Sequence, residues 1–238
     1  MIVGVLAIHN EEQYLPFTLH DLNLCTDEVL TVIDRCTDRS NKLISKYHWL
    51  KVVKDTKLVW MNTCAQAKAL GLQFLPDGYE YVLMTDADVI VNCKAVADAR
   101  RILDSVLTVD LVSFVYRQYS LFGSWKDRVH DEIANLLSRF TRKFGLQPVR
   151  SGIYLVRKEK AVLHDEPSEY DCLHQKLNCT YVVGGVHLRP RYDRLSQLNR
   201  GRARCYYSQY SFWKVLVSSL VQFEPFMLKG FIQGKVTG

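Results

Sequence analysis

Two aspartates one residue apart, Asp86 and Asp88, sit at the end of an apolar run in the segment VLMTDADVIV. Carboxylates are seldom buried without a partner. In an extended chain, residues i and i+2 point to the same side, so both can face one cation. Magnesium and manganese prefer oxygen donors, and often take one or two carboxylates beside substrate phosphate oxygens. The plain alternative is a solvated turn after a strand, where Asp is common. Further chemistry-bearing residues recur at comparable places: His9, Asn10 and Glu11 follow one apolar run, and Asp34 and Asp38 follow another.

The elements that must position them come next. MIVGVLAI reads as a buried strand, with Asn10 as the N-cap of the following helix and Gln13 at the reciprocal position. Tyr14, Leu15, Leu19 and Leu22 form that helix's apolar stripe. EVLTVI is a second strand, followed by the polar loop DRCTDRS and a short helix. LKVVKD is a third strand, and Met61 to Leu75 form an Ala-rich helix stopped by Pro76-Asp77-Gly78. YEYVLMT, a helix over 93–107 and the strand DLVSFVY complete this half. Such alternation predicts an α/β fold with a mostly parallel sheet and helices on both faces. Ligands of such sheets bind beyond the carboxyl ends of the strands, where these acids collect.

The second half is less regular. A helix over 125–144 carries Trp125, Val129, Ile133, Leu136, Leu137 and Phe140. SGIYLVR and TYVVGGVHL read as strands, with residues 169–178 helical between them. The tail is rich in arginine (Arg189, Arg191, Arg194, Arg200, Arg202 and Arg204), then aromatic and apolar.

Composition narrows the function classes. The chain has 238 residues, 48% of them hydrophobic and 24% charged, as in an ordinary soluble globular protein. A net charge of +6 favours anionic ligands or surfaces. The 7 cysteines are scattered without a C-x-x-C, which argues against structural zinc and reads as reduced thiols in a cytoplasm. The first apolar run lacks a basic region before it, so no signal peptide is expected. No segment offers the roughly 20 apolar residues of a membrane span.

Taken in order, AIHNEE, VIDRCTDRS, AQAKALG and YVLMTDADVIV resemble the glycosyltransferase family 2 pattern on the GT-A fold. The resemblance covers the N-terminal half. It implies a GT-A, Rossmann-like domain over 1–190, with a donor half at 1–92, an acceptor half at 93–190 and a helical C-terminal extension at 191–238. By that match Ala7, His9, Glu11 and Asp34 bind the nucleoside, Lys68 lies near the diphosphate, and Asp86 and Asp88 hold ribose and metal. Carboxylates accept hydrogen bonds from base or ribose donors, and a lysine suits a diphosphate. The family often has a second Asp after that of the second-strand loop; here Arg35 stands there.

The segment HDEPSEYDCLHQKLNCTY resembles the family's acidic motif, although Tyr170 separates Glu169 from Asp171. It implies Asp171 as general base, with Glu169 as second choice. His187 matches a third metal ligand, and Gly152 the small residue that leaves room for the donor sugar.

The expected activity is transfer of a sugar from a UDP- or GDP-sugar to a hydroxyl acceptor, with Mn2+ or Mg2+ and inversion at the sugar. A retaining transferase of the same fold, a nucleotidyltransferase and an inactive nucleotide-sugar-binding protein are the alternatives. The nucleotidyltransferase lacks its glycine-rich loop, because IHNEEQY stands in that place. A phosphatase with an aspartate nucleophile ranks lower still. No nucleic-acid motif accompanies the arginines. A peripheral membrane contact through the C-terminal segment is a further expectation, with core packing of that segment as its rival.

Overall fold

The computed structural model describes residues 1–48, 50–55, 63–143, 153–161 and 177–189, and positions 212–213, 216, 219, 226, 228–229 and 231–233 of the C-terminal segment. The side chains of 54–55, 63–66 and 141–142 are not described. Gly152, Glu169, Asp171 and all the tail arginines after Arg189 lie outside these residues.

Strands and helices alternate through the first half: β1 (Ile2–Ile8), α1 (Leu15–Cys25), β2 (Glu28–Asp34), α2 (Ser40–Ile44), β3 (Leu50–Asp55), α3 (Thr63–Leu72) and β4 (Tyr81–Asp86). There follow β5 (Val89–Ile90), α4 (Cys93–Ser105), β6 (Leu111–Gln118), α5 (Trp125–Lys143), β7 (Tyr154–Arg157) and β8 (Cys179–His187). The elements expected over 1–143, and the strands around 154–157 and 179–187, are present, and the two-residue β5 is an addition; the helix expected over 169–178 and the extension over 191–238 lie largely outside the described residues.

Eight strands form one sheet in the order β3-β2-β1-β4-β7-β6-β8-β5. β1 pairs parallel with both β2 and β4, and β2 with β3. β7 then runs antiparallel between β4 and β6. β1 is apolar at almost every position and buried on both faces, as a central parallel strand must be. On one face Leu6, Ile8, Leu15, Leu19, Leu22, Leu83 and Leu103 share a core; on the other Val3, Val5, Leu30, Val82 and Tyr154 do. α3 lies against β1 and β2, and its Gly71 is the close approach: a Cβ there would stand 3.0 Å from both Val5 and Val32.

The chain divides into two compact units, Met1–Arg117 with Val149–His187, and Gln118–Pro148 with Leu188–Gly238. In the second unit α5 is amphipathic, and its buried positions are His130, Asp131, Ala134 and Asn135. Phe231 and Ser219 of the C-terminal segment are buried, whereas Phe212, Trp213 and Ile232 are exposed. Among the described residues no helix is long and apolar enough to cross a membrane.

Two expectations are corrected. Asn10 does not cap α1, which begins at Leu15 without a side-chain cap. Asn10 instead takes a left-handed φ of 57° and turns its amide to the next loop. Not all the thiols are reduced: Cys25, at the end of α1, is joined to Cys93, at the start of α4, with Cα atoms 4.8 Å apart. The two helices lie side by side over the β4–β5 turn, where Thr18 Oγ1 donates to Ala87 O at 2.8 Å. That neighbourhood is tertiary, so cysteine spacing could not show it. The cytoplasmic expectation loses the support it drew from reduced thiols. Cys36, half-buried, is a free thiol among the described residues.

Candidate functional site

At the carboxyl edge of β1 and β2 two loops are stitched together. Asn10 Oδ1 accepts from the amides of Thr37 (2.7 Å) and Asp38 (3.3 Å). Asp38 in turn accepts from the amides of Glu12 at 3.0 Å and Ser40 at 2.9 Å. The Glu11 amide donates to Ser40 Oγ at 2.9 Å, and Glu12 Oε2 accepts from the Arg39 amide at 2.8 Å. Partial burial works against the Asp38 charge, but the Ser40 hydroxyl and these amides outweigh it and hold its carboxyl below the usual range. Burial is the main cause that pushes the Cys36 thiol up, behind Asn10. The stitching fixes where Glu11 and Asp34 stand.

Asp34 is buried at the end of β2. Arg35 holds it with two bonds, Nε to Oδ1 at 2.6 Å and Nη2 to Oδ2 at 3.0 Å. Such a fork satisfies a carboxylate that burial would otherwise disfavour. Arg35, with φ 43°, thus does structural work where the family pattern has a second acid. His9 Nδ1 bonds Asp34 O at 2.7 Å. Ala7 lies in register between Val32 of β2 and Asp86 of β4. Ala7, His9, Glu11 and Asp34 therefore lie together at the carboxyl ends of these two neighbouring strands.

Lys68 projects from α3 and is 1% exposed. Its ammonium reaches Asp86 Oδ1 at 2.8 Å. A buried ammonium needs a carboxylate partner, and Asp86 at the last position of β4 supplies it. The second aspartate has a different neighbour. Asp88 Oδ2 stands 3.5 Å from His187 Nε2. The antiparallel pairing of β5 with β8 sets Val89 opposite His187, which brings the ring beside the preceding residue. Tyr116 of β6 stacks on the imidazole with centroids 5.4 Å apart.

Sequence reasoning missed Tyr116 and the two glycines of β8. A Cβ on Gly184 would lie 2.1 Å from Ala95 Cβ of α4. On Gly185 it would lie 3.3 Å from both Ile90 O and Tyr116 Cβ. Two adjacent glycines let β8 pass this close, and so place His187. The doubled glycine in TYVVGGVHL was the available signal.

The expected triad Asp86, Asp88 and His187 is thus split into two pairs. Among the described residues no group of three His, Cys, Asp or Glu side chains gathers around one point. Asp88 and His187 offer one oxygen and one imidazole nitrogen at the mouth of the sheet. That donor set fits manganese or magnesium when a nucleotide diphosphate supplies the remaining oxygens.

No family model matches the chain, and no curated protein does. Solved structures do. A structure of S. aureus TarS residues 1–349 matches with TM-score 0.54 and 14% identity, over 94% of this chain and 69% of that one. A second S. aureus TarS structure matches with TM-score 0.53 and 14% identity, over 92% of this chain and 42% of that one. Glucosyl-3-phosphoglycerate synthase from Mycobacterium tuberculosis, in complex with Mn2+, UDP and phosphoglyceric acid, matches with TM-score 0.52 and 19% identity, over 84% of this chain and 75% of that one. With its strand order, its crossover helices and these neighbours, the chain has a Rossmann-like fold of the GT-A type.

Proposed function

We propose that the chain is a metal-dependent glycosyltransferase that moves a sugar from a nucleotide-diphosphate sugar to a hydroxyl acceptor. The observation that carries the reading is the pair of pairs at the end of β4. Lys68 fixes Asp86, and His187 stands against Asp88. Support also comes from a fold neighbour solved with Mn2+, UDP and an acceptor.

The carboxyl ends of β1 and β2 take the nucleoside, with Glu11 and Asp34 accepting from base and ribose donors. Asp86, held by Lys68, faces the ribose. Lys68 acts on the donor through that carboxylate. Asp88 and His187 would hold the divalent cation, which supplies charge neutralisation for the departing diphosphate. Asp171, or Glu169 beside it, takes the acceptor hydroxyl proton; a positioned base gives about 10²–10⁴-fold. A single displacement at the anomeric carbon inverts it. Gly152 leaves room for the sugar. The machinery belongs to residues 1–190, with 191–238 as an extension.

A thermal-shift screen with UDP- and GDP-sugars, with and without Mn2+, tests the reading. One of them should raise stability by about 2.7 kcal/mol at a hundred times its Kd. Asp88→Ala should keep the fold, lose the Mn2+-dependent part of the shift, and lose transfer by at least about 100-fold. A panel with no shift at all sinks the proposal. Binding without turnover reassigns the chain as a nucleotide-sugar-binding protein.

A further inference from the structure

Five large apolar residues of α5 face outward. Trp125 is 71% exposed, Val129 50%, Ile133 40%, Leu136 66% and Phe140 58%. At about 100° per residue these positions fall within an arc of roughly 80°, along a helix about 28 Å long. The opposite face is buried and carries His130, Asp131 and Asn135 around Ala134. Asn135 Nδ2 donates to Gln118 O at 2.9 Å, and Asn135 Oδ1 accepts from Gln118 N at 2.8 Å. Asp131 Oδ2 accepts from Ser120 N at 2.6 Å. These bonds lock the roll of the helix. Turning the stripe inward would break all three and strand a buried carboxylate.

The helix start is fixed as well. Ser124 and Asp127 form a reciprocal cap, with the Ser124 amide 2.7 Å from Asp127 Oδ2. Trp125 is therefore presented at a set position, with Lys126 Nζ 5.9 Å over its ring.

Charge flanks the stripe on both sides. Lys126 lies along one edge, and Arg128 and Arg139 along the other, all exposed. Lys143 is exposed at the C-terminal end. Glu132 sits at the Arg128 edge and is outnumbered. An outward apolar stripe with an aromatic near each end and cations beside it suits the boundary of a lipid bilayer. A second copy of this chain fits less well, because stripe-to-stripe packing would bring these cations together on a protein of net charge +6.

We propose that α5 lays this stripe on a bilayer surface that carries anionic headgroups. Trp125, Val129, Ile133, Leu136 and Phe140 enter the headgroup–acyl boundary, and Arg128, Arg139, Lys126 and Lys143 meet the headgroups. The surface belongs to α5 and requires no turnover.

Sedimentation of the full chain with vesicles tests it. With equal parts phosphatidylcholine and phosphatidylglycerol at low salt, the wild type should pellet. With phosphatidylcholine alone, or in about 0.5 M NaCl, it should be released, because the Debye length falls to about 4 Å. The paired variant Trp125→Glu, Leu136→Glu should bind at least about tenfold more weakly, with an unchanged melting curve. Arg139→Gln with Lys143→Gln should cost about fivefold per cation. If the paired variant melts early, Leu136→Gln alone must still lower binding by at least about threefold. A wild type that stays in the supernatant, or variants that pellet like wild type, overturns the proposal. A wild-type dimer that Trp125→Glu splits assigns the stripe to a second copy and overturns it too.

Discussion

α4 and α5 are both amphipathic, yet they use their faces in opposite ways. α4 turns its apolar side, Ala95, Val96, Ala99 and Leu103, into the core beneath the sheet. Its start is held by Asn92, whose Oδ1 accepts from the Ala95 amide at 3.2 Å. α5 buries Asp131 and Asn135 and leaves Trp125 and Leu136 in the open. Periodicity says that a stripe exists, but not which way it faces. Direction is decided by what the other side can bond. α4 has charged residues opposite its stripe, content in water. α5 has an amide and a carboxylate that find backbone partners at Gln118 and Ser120.

The contrast can be broken by measurement. Leu103→Ala opens a cavity under α4 and should lower unfolding free energy by about 2–5 kcal/mol in a urea titration. Asn135→Ala removes both bonds to Gln118 and should cost about 1–3 kcal/mol by the same titration, although it deletes almost no apolar area. Val129→Gln on the outward face of α5 should change stability by less than about 0.5 kcal/mol. If Val129→Gln costs as much as Leu103→Ala, the stripe is a core surface and the contrast between the helices is void.

Much of the first half was legible in the sequence because its signals are local. Runs such as YVLMT and EVLTVI can only be strands buried on both faces, and the acids after them fall at the carboxyl edge by topology alone. The pairing of Lys68 with Asp86 was half legible: both residues were singled out, but their contact depends on how α3 packs. The split of Asp86 from Asp88 was not legible. It depends on β5 meeting β8, a register set by residues about a hundred positions apart. The Cys25–Cys93 bond was hidden for the same reason. Asn10 misled because an Asn before an apolar helix looks like a cap, whereas a left-handed Asn can serve the neighbouring loop equally well. Asp171, Glu169 and Gly152 stay on the footing that sequence alone provides.

The place of β7 in the sheet has a consequence for how the molecule is made. This four-residue strand is the bridge between β4 and β6, yet the chain reaches it 68 residues after Asp86. At a synthesis rate of about 5–20 residues per second, roughly 3 to 14 s separate the two. During that interval the nascent parallel half has an open edge at β4, apolar from Tyr81 to Met84 and able to accept another strand. The bond pattern of the finished sheet cannot close before β7 has been made. Until the bridge arrives, that edge is where pairing with another chain can begin.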